Sequence, residues 1–363
     1  MTGRVLLLTP SRGLGGGIER YAGTVEWALT AQHVEHLRVD LRTSEQSPAA
    51  AAYPQMLARA GSYLRQSGVP PRLVVLHRAL LPLAALLAAR YPAAGISCIC
   101  HGSDVWASRR GPRRLAENYL LGRPRVRVIA VSSFTAGALA GHCRSAVLPP
   151  GLSRPWFDTL AREAAENQAG LAADTHAAGA NAGLELVTAF RLSDWRDKGL
   201  PQLLAAVTSL GRPDVRVTVC GSGEPSGELL RLMSNYDFCT LRPGLTDRQF
   251  ARQLAAADLF VLATRTRPGP PASGEGFGLV LLEAQLAGTP VVAPAYGGSH
   301  DAFVNRVTGA APADESVTAL VDVLGELLKD PRRLAGMGSR AASWVSECFA
   351  PDDYAAQVLA KLL

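Results

Sequence analysis

Hydrophobic and polar positions follow two periods in alternation along most of the chain. Short, almost continuous apolar runs are separated by longer stretches in which apolar residues recur every three or four positions. The short runs are typical of strands buried on both faces, and the longer stretches are typical of the helices that cover them. The pattern predicts an α/β protein with parallel sheets and with strands in residues 4–10, 36–41, 72–78, 96–102, 126–133, 145–151, 184–190, 215–223, 258–264 and 290–295.

This alternation stops once, between residues 153 and 183. The stretch is rich in alanine and glycine and contains no strand-like run, so it predicts a helical or loose linker at the boundary between two domains. A chain of 363 residues is long enough to hold two domains of ordinary size. We therefore expect an N-terminal domain over residues 1–152 and a C-terminal domain over residues 184–350.

Composition narrows the class of protein. The chain is 48% hydrophobic and 19% charged, which is typical of a folded domain. The N-terminal apolar run is short and predicts a strand rather than a signal peptide, and the longest other apolar run, residues 79–89, is too short to cross a bilayer. The six scattered cysteines form no zinc-binding set and favour buried thiols. We expect a cytoplasmic protein.

The positive charge of the chain is concentrated in its first half. Residues 1–165 contain 20 arginines, no lysine and nine acidic residues, a net charge of +11, whereas the remainder has 17 basic and 22 acidic residues, a net charge of −5. The densest cluster runs from Arg109 to Val128 and lacks the interleaved aromatic residues of a stacking platform, which argues against nucleic acid. An arginine-rich solvated surface and a site for an anionic acceptor or for the inner face of a membrane both fit this pattern.

A glycine-rich segment, SRGLGGGIERYAG, follows the first predicted strand and opens a helix. Its glycines would let backbone N–H groups approach an anion at the positive end of the helix. The dinucleotide pattern G-x-G-x-x-G is broken, because the frame that starts at Gly13 ends at Ile18 and the frame that starts at Gly15 ends at Arg20. Asp40, at the end of the second strand, could still hold a ribose, so an NAD-dependent oxidoreductase remains the alternative function.

Arg191 and Lys198 follow the predicted strand over residues 184–190. Ligands of open α/β sheets bind at this carboxyl edge, and two cations there suit a diphosphate. A surface pair that caps a helix is the alternative interpretation.

Two glutamates are separated by seven residues in SGEGFGLVLLEAQLAGTPVVAP. Glu275 stands among glycines just before a predicted helix, where it could cap the helix or accept hydrogen bonds from sugar hydroxyls. Glu283 lies inside the helix between apolar residues, and a buried carboxylate needs hydrogen-bond donors. A ribose diol would provide them.

Eight segments together carry a resemblance to one enzyme family. They are GGIER, HGSDV, VSSFT, LPPG, the Arg191–Lys198 pair, GSGE, EGFGLVLLEAQLAGTPVVAP and GGSHDAFVNRVTG. In this order the chain resembles glycosyltransferase family 4 over nearly its whole length, and the glutamate pair is the most specific element. The resemblance implies the GT-B fold, with two Rossmann-like domains facing each other across a cleft. It also implies a retaining hexosyltransferase that needs neither metal nor cofactor and takes a nucleotide sugar as co-substrate.

The resemblance also implies different binding roles for the two domains. The N-terminal domain, joined by a final helix at residues 351–363, would bind the acceptor, and the C-terminal domain would bind the donor. The amides of Gly16 and Gly17 would lie near the donor phosphates. The other implied roles are diphosphate binding by Arg191 and Lys198, sugar binding by Glu275 and His101, amide donation by Gly276, Phe277, Gly278 and Leu279, ribose binding by Glu283, and base contact by Arg242 and Gly244.

Some features depart from the family pattern. Arg191 and Lys198 are seven positions apart where the family more often has about five, and Asp301 stands where the family usually has Glu. The short first half suggests a compact acceptor pocket. The resemblance leaves the substrates open: we expect UDP rather than GDP in the donor, and an acceptor hydroxyl on either a lipid-linked cell-envelope molecule or a small secondary metabolite.

Overall fold

The computed structural model describes residues 4–13, 15–42, 49–66, 71–106, 111–173, 183–267, 269 and 272–363. The chain divides into two compact units. Unit 1 comprises Met1–Ser153, Arg267–Phe277 and Pro351–Leu363, and unit 2 comprises Arg154–Thr266 and Gly278–Ala350.

Unit 1 is built on a six-stranded sheet in the order β2-β1-β3-β4-β5-β6, with every pair of neighbours parallel. The strand order reverses between β1 and β3, and ligands bind beyond the carboxyl ends of the strands at such a point. Its elements are β1 (Val5–Ser11), α1 (Gly17–Ala31), β2 (His36–Arg42), α2 (Ala49–Gln66), β3 (Arg72–Val75), α3 (Leu81–Arg90), β4 (Ile96–Cys100), α4 (Gly102–Trp106), α5 (Pro112–Leu121), β5 (Val126–Ala130), α6 (Ser133–Leu139), β6 (Ser145–Val147) and the C-terminal helix α14 (Pro351–Leu362).

Unit 2 has its own six-stranded parallel sheet, in the order β12-β11-β10-β7-β8-β9, with the reversal between β7 and β10. Its elements are α7 (Arg154–Ala173), β7 (Leu184–Arg191), α8 (Leu200–Leu210), β8 (Val215–Ser222), α9 (Gly227–Met233), β9 (Cys239–Pro243), α10 (Asp247–Ala255), β10 (Leu259–Val261), α11 (Leu279–Leu286), β11 (Val291–Val292), β12 (Gly309–Ala310), α12 (Val317–Leu327) and α13 (Pro331–Cys348).

The predicted α/β class with parallel sheets is confirmed, but two strands were missed. Strand β9 lies at a sheet edge and has no buried residue, so it lacks the apolar run that marks the other strands. Strand β12 is only the dipeptide Gly309–Ala310. Several strands also end earlier than predicted. Beyond β5, for example, Ser132 accepts a hydrogen bond from the Thr135 amide at 3.1 Å and begins helix α6.

Most of the predicted linker is a packed helix. Helix α7 contacts α10 and α11 of unit 2. Its Glu163 is buried and accepts hydrogen bonds from Arg248 and Arg252 at 2.7 and 2.8 Å. Of the two alternatives predicted for this stretch, a helical or a loose connector, the structure has the helix over Arg154–Ala173. Residues 174–182 of the predicted linker lie outside the described residues.

The C-terminal helix α14 packs against α1 in unit 1. Tyr354 donates its hydroxyl to the Pro149 carbonyl oxygen at 3.0 Å. A side chain at Gly151 would place its Cβ 2.7 Å from the Tyr354 ring, so this position needs glycine. Within the described parts of the chain, no helix is both long enough and apolar enough to cross a membrane.

Candidate active site

His101 directly follows β4 at the carboxyl edge of the unit 1 sheet and is 7% exposed. Its Nε2 lies 2.9 Å from the Leu76 carbonyl oxygen and must donate, because a carbonyl can only accept. In the neutral ring this leaves Nδ1 as a hydrogen-bond acceptor. Burial lowers the pKa of His101 to about 4, although Asp104 acts in the opposite direction. His101 is therefore neutral at pH 7.

Asp104 and His77 hold His101 in place. The buried Asp104 accepts a hydrogen bond from the backbone N–H of His101 at 2.8 Å, and its other oxygen lies 3.3 Å from His77 Nε2. Because His77 Nδ1 accepts from the Ala79 amide at 3.1 Å, Nε2 carries the proton that points to Asp104. The two imidazole rings stack with centroids 6.3 Å apart. Sequence reasoning missed both residues, although Asp104 stands in the HGSDV segment.

The glycine loop after β1 already holds a carboxylate. The amides of Gly13 and Gly15 donate to Glu19, which lies in the first turn of α1, and the Gly15 bond is 3.1 Å long. Gly16 has a φ of 99°, and Gly17 is the first residue of the helix. Gly16 and Gly17 thus lie at the N-terminus of α1, while an internal acid occupies the amides before them.

The partners of Asp40 argue against its predicted alternative role, which is to bind the ribose of NAD. Its carboxylate pairs with Arg38 at 2.7 Å and with Arg12 at 3.6 Å, and it accepts a hydrogen bond from the Thr9 hydroxyl. A ribose diol would have to displace these partners.

The segment before α11 belongs to unit 1 as far as Phe277. Glu275 is partly exposed, and Phe277 is buried. A Cβ on Gly276 would lie 2.6 Å from the Gly102 nitrogen, so the two backbones are in direct contact. This contact places the Glu275 segment beside the residue that follows His101.

In unit 2, Arg191 is the last residue of β7, and Lys198 lies near the end of the loop that follows, at the switch point of the sheet. Leu192 and Trp195 of this loop are buried in the unit 2 core, and Arg196 stacks on the Trp195 ring at 4.0 Å. The unusual seven-residue spacing therefore contains a short 3₁₀ turn and a core tryptophan.

Gly199 completes this loop in the left-handed conformation, with φ of 72°. A Cβ here would overlap the carbonyl oxygen of Ala263, which follows β10. Between the same two loops, the Arg265 amide donates to the Asp197 carbonyl oxygen at 2.8 Å. The loops after β7 and β10 are thus packed backbone against backbone.

Arg242 lies near the end of β9, the strand next to β8, and Gly244 directly follows β9. Both are exposed, and the Gly244 amide donates to the Gly221 carbonyl oxygen at 2.9 Å. A Cβ on Gly221 would overlap the carbonyl oxygen of Phe190, the residue before Arg191. The ends of β7, β8 and β9 therefore form one continuous edge.

Helix α11 begins after Gly278, which has a left-handed φ of 82°, and its first residue is Leu279. Glu283 lies within this helix and is 3% exposed. Its Oε1 accepts a hydrogen bond from the indole Nε1 of Trp156 at 2.9 Å. Trp156 comes from α7 and was not predicted, because its partner lies 127 positions away in the chain.

The predicted residues thus fall into two groups. One group, in unit 1, comprises Gly16, Gly17, His101, Glu275, Gly276 and Phe277. The other group, in unit 2, comprises Arg191, Lys198, Arg242, Gly244, Gly278, Leu279 and Glu283. Within the described residues there is no cluster of three or more His, Cys, Asp or Glu side chains that could hold a metal ion.

The chain was compared with known proteins. Residues 186–344 match the model of the family Glycosyl transferases group 1. A GDP-mannose-dependent monoacylated alpha-(1-6)-phosphatidylinositol monomannoside mannosyltransferase from Corynebacterium glutamicum is 38% identical over 149 residues, which is 41% of this chain and 37% of that protein. A D-inositol 3-phosphate glycosyltransferase from Pseudarthrobacter chlorophenolicus is 32% identical over 231 residues, which is 60% of this chain and 50% of that protein. The chain thus spans half or less of the length of these relatives.

Similarity of fold extends over the whole chain. The structure of sucrose-phosphate synthase from Thermosynechococcus elongatus superposes with a TM-score of 0.79 at 19% identity and covers 99% of this chain and 98% of that one. At this level of identity the likeness establishes the fold alone. Residues 186–344 therefore match the glycosyl transferases group 1, and the fold of the chain is that of the GT-B glycosyltransferases.

Proposed function

We propose that this protein is a retaining, metal-independent hexosyltransferase of family 4, which moves a hexose from a nucleotide sugar to an acceptor hydroxyl. The observation that carries the proposal is the match of residues 186–344 to glycosyl transferases group 1. That range contains the Arg191–Lys198 loop at the switch point of the unit 2 sheet, and it contains the buried Glu283.

The donor would be held mainly by unit 2. Arg191 and Lys198 bind the diphosphate, since two cations match its charge. Glu283 accepts hydrogen bonds from the ribose diol while the Trp156 indole fixes the orientation of its carboxylate. Arg242 and Gly244 contact the base.

The proposed contacts of the hexose are Glu275 and His101. Glu275 accepts hydrogen bonds from sugar hydroxyls. The neutral His101 offers Nδ1 as a further acceptor, because its Nε2 is committed to Leu76. A neutral ring at this position avoids repelling the positive charge that develops on the sugar in the transition state.

In the proposed reaction, the bond between the anomeric carbon and the diphosphate oxygen breaks. The acceptor oxygen attacks the same face, and its proton passes to the departing diphosphate oxygen. Products are the glycoside, with retained configuration, and the nucleoside diphosphate. Arg191 and Lys198 stabilise the charge on the leaving group, which is the task of a divalent ion in other transferases.

For the acceptor, we propose a hydroxyl on an inositol phosphate, either free or as a phospholipid head group. Both relatives are named for an inositol phosphate or a phosphatidylinositol derivative. The net charge of +11 on residues 1–165 suits an anionic acceptor. A lipid acceptor would require peripheral contact of unit 1 with a membrane.

Thermal unfolding with UDP, GDP, ADP, dTDP and NAD⁺, each with and without EDTA, tests the donor class. A nucleotide at about 100 times its Kd stabilises the folded state by about 2.7 kcal/mol, which gives a clear rise in Tm. We expect a rise with UDP or GDP that EDTA does not change. The Glu283→Ala variant should lose this rise while Glu347→Ala, an exposed acid of unit 2, keeps it.

The matching sugar nucleotide is then incubated with inositol phosphate or with phosphatidylinositol vesicles, and the anomeric configuration of the product is determined by NMR. A product with inverted configuration would contradict the retaining mechanism. A rise in Tm with NAD⁺ alone would contradict the proposed transferase activity and would favour the alternative function, an NAD-dependent oxidoreductase.

A further inference from the structure

A basic cavity lies at the amino edge of the unit 1 sheet. It has a volume of about 310 Å³ and is lined by Arg72, Arg125 and Arg127 together with Gly95 and neighbouring prolines and alanines. Arg72 begins β3, and Gly95 and Arg125 directly precede β4 and β5. His101 follows the opposite end of β4, a strand of five residues that spans about 16 Å. The cavity is therefore separate from the candidate active site.

The three arginines are not neutralised by an acid. Arg72 Nε donates to the Leu362 carbonyl oxygen and to the Ser97 hydroxyl, both at 3.0 Å, and Arg127 donates to the Lys361 carbonyl oxygen at 3.2 Å. In the described residues, no ion pair joins Arg72, Arg125 or Arg127 to a carboxylate. Consistent with this, burial and the nearby Arg127 lower the pKa of Arg72.

A structural role explains part of this arrangement. Lys361 and Leu362 end helix α14, and Arg72 and Arg127 cap the carbonyl groups there. Each guanidinium uses only one nitrogen for that bond and retains further N–H donors. Capping also leaves Arg125 unexplained, because its side chain has no hydrogen-bond or ion-pair partner within the described residues. The cavity thus has more positive charge and more donors than helix capping requires.

Gly95 makes room for one of these guanidinium groups. A Cβ at this position would lie 2.5 Å from Arg72 Nη1 and 3.2 Å from Arg72 Cζ. Without a Cβ, the guanidinium can lie directly against the backbone before β4 and remain in the wall of the cavity.

We propose that this cavity is a binding site for a phosphate group, with Arg72, Arg125 and Arg127 as its ligands. Guanidinium groups present paired N–H donors that match the oxygens of a phosphate, and a dianion between them would relieve their mutual repulsion. The volume exceeds that of a single ion, so the ligand is a phosphate ester, which can be a soluble molecule or a lipid head group.

The first experiment titrates inorganic phosphate into the full-length protein by calorimetry at constant ionic strength. An Arg191→Gln/Lys198→Gln background removes the two cations proposed to bind the diphosphate, so the result does not depend on the proposed function. In this background we compare Arg125→Gln/Arg127→Gln with Arg144→Gln/Arg216→Gln. Like Arg125 and Arg127, Arg144 and Arg216 are exposed and, within the described residues, form no ion pair with a carboxylate, so the control loses the same charge elsewhere.

We expect the cavity variant to weaken phosphate binding at least about tenfold, since it loses two charge-assisted donors, and the control to bind as the background does. Gly95→Ala should weaken binding as well, because it displaces Arg72. Absence of phosphate binding in the background, or an equal loss in both double variants, would overturn the proposal. Unchanged Tm values without phosphate establish that the variants are folded.

Two further probes identify the source of the phosphate. Binding of glycerol 3-phosphate that depends on Arg125 and Arg127, with vesicle binding that is the same in the cavity variant and the control, supports a soluble ester. Arginine-dependent binding to phosphatidic acid vesicles and not to phosphatidylcholine vesicles, competed by inorganic phosphate, supports a lipid head group. Failure of both probes would contradict a phosphate ester as the ligand.

Discussion

Two buried acids of unit 2 show how the partner of a carboxylate determines its use. Glu163 is held by the guanidinium groups of Arg248 and Arg252. Burial raises the pKa of Glu163, but the two arginines outweigh burial and lower it. Glu283, by contrast, accepts a hydrogen bond from the neutral indole of Trp156. An indole N–H orients a carboxylate by a hydrogen bond and brings no positive charge of its own, which suits a residue that is to accept hydrogen bonds from a ligand.

The first prediction concerns Trp156 as a positioning residue. Trp156→Phe removes the donor to Glu283 and should lower the free energy of unfolding by about 1–3 kcal/mol. It should also raise the KM for the nucleotide sugar more than it changes kcat. Urea unfolding and donor titrations provide the measurement. Trp344→Phe is the control, because Trp344 lies in α13 and packs against Phe349. Equal effects of the two variants would show that ring volume alone matters at position 156.

The second prediction concerns His101 and pH. The folded-state pKa of about 4 lies below the ordinary value of 6.5, so the unfolded state binds more protons between these values. This contribution to stability is complete above pH 6.5 and is lost as pH falls toward 4. Between about pH 7.5 and about pH 5 the loss from this one group should be about 2 kcal/mol.

Urea unfolding at the two pH values checks this prediction. His101→Gln should remove that share of the pH dependence, whereas His142→Gln, at an exposed site, should keep it. Identical pH dependence in the wild type and His101→Gln would show that His101 is not buried as a neutral ring.

At the scale of elements, helix α8 is bounded by two left-handed glycines with different surroundings. Gly199 precedes the helix with φ of 72°, and Gly211 follows it with φ of 62°. A Cβ on Gly199 would overlap the Ala263 carbonyl oxygen, whereas a Cβ on Gly211 would have no atom within 4 Å. The left-handed conformation of Gly199 therefore allows the loop before α8 to pack closely against Ala263, whereas that of Gly211 only ends the helix.

The third prediction compares these two ends. Gly211→Ala should cost about 1–2 kcal/mol of unfolding free energy, the strain of a left-handed alanine. Gly199→Ala should cost at least about 1 kcal/mol more, because the loop must also move away from Ala263. It should further weaken nucleotide binding, since Lys198 moves with the loop. Denaturation and donor titration provide the test, and similar costs with unchanged binding would contradict the packing seen between the two loops.

At the scale of the whole molecule, charge is divided unequally along the chain, with +11 in residues 1–165 and −5 in the rest. Helix α5 adds apolar groups to the basic half, because Leu115 and Tyr119 are 70% and 65% exposed one turn apart. Arg123 lies against the Tyr119 ring at 5.3 Å. Exposed apolar groups among arginines are typical of a surface that contacts anionic lipid.

The fourth prediction follows from this surface. The protein should co-sediment with vesicles that contain anionic phospholipid and should be released as salt increases from about 0.1 M to about 0.5 M, because screening weakens the attraction. Leu115→Ser/Tyr119→Ser should reduce binding, and Leu230→Ser, at an exposed leucine of unit 2, should not. Salt-independent binding, or equal loss in the control, would contradict a membrane contact through α5.

The sequence by itself determined the α/β class, the parallel sheets and most of the strands. It could do so because strands buried on both faces need continuous apolar runs, and that requirement is local. Arg191 and Lys198 could be proposed as candidates in the same way, since the carboxyl end of a parallel strand is a fixed place in this fold, whereas the candidacy of His101 depended on the family resemblance. Where the local signal was weak, as in β9 and β12, the prediction missed the element.

Only the tertiary structure decided which partners these residues have. Trp156 meets Glu283 across 127 positions, and Arg72 meets Leu362 across 290. Glu19 occupies the glycine amides, and Asp40 is held by two arginines. Hydrogen bonds and ion pairs of this kind depend on distances of about 3 Å between atoms brought together by folding. Periodicity and motif spacing describe a residue's own element, and they contain no information about the side chain that will lie beside it.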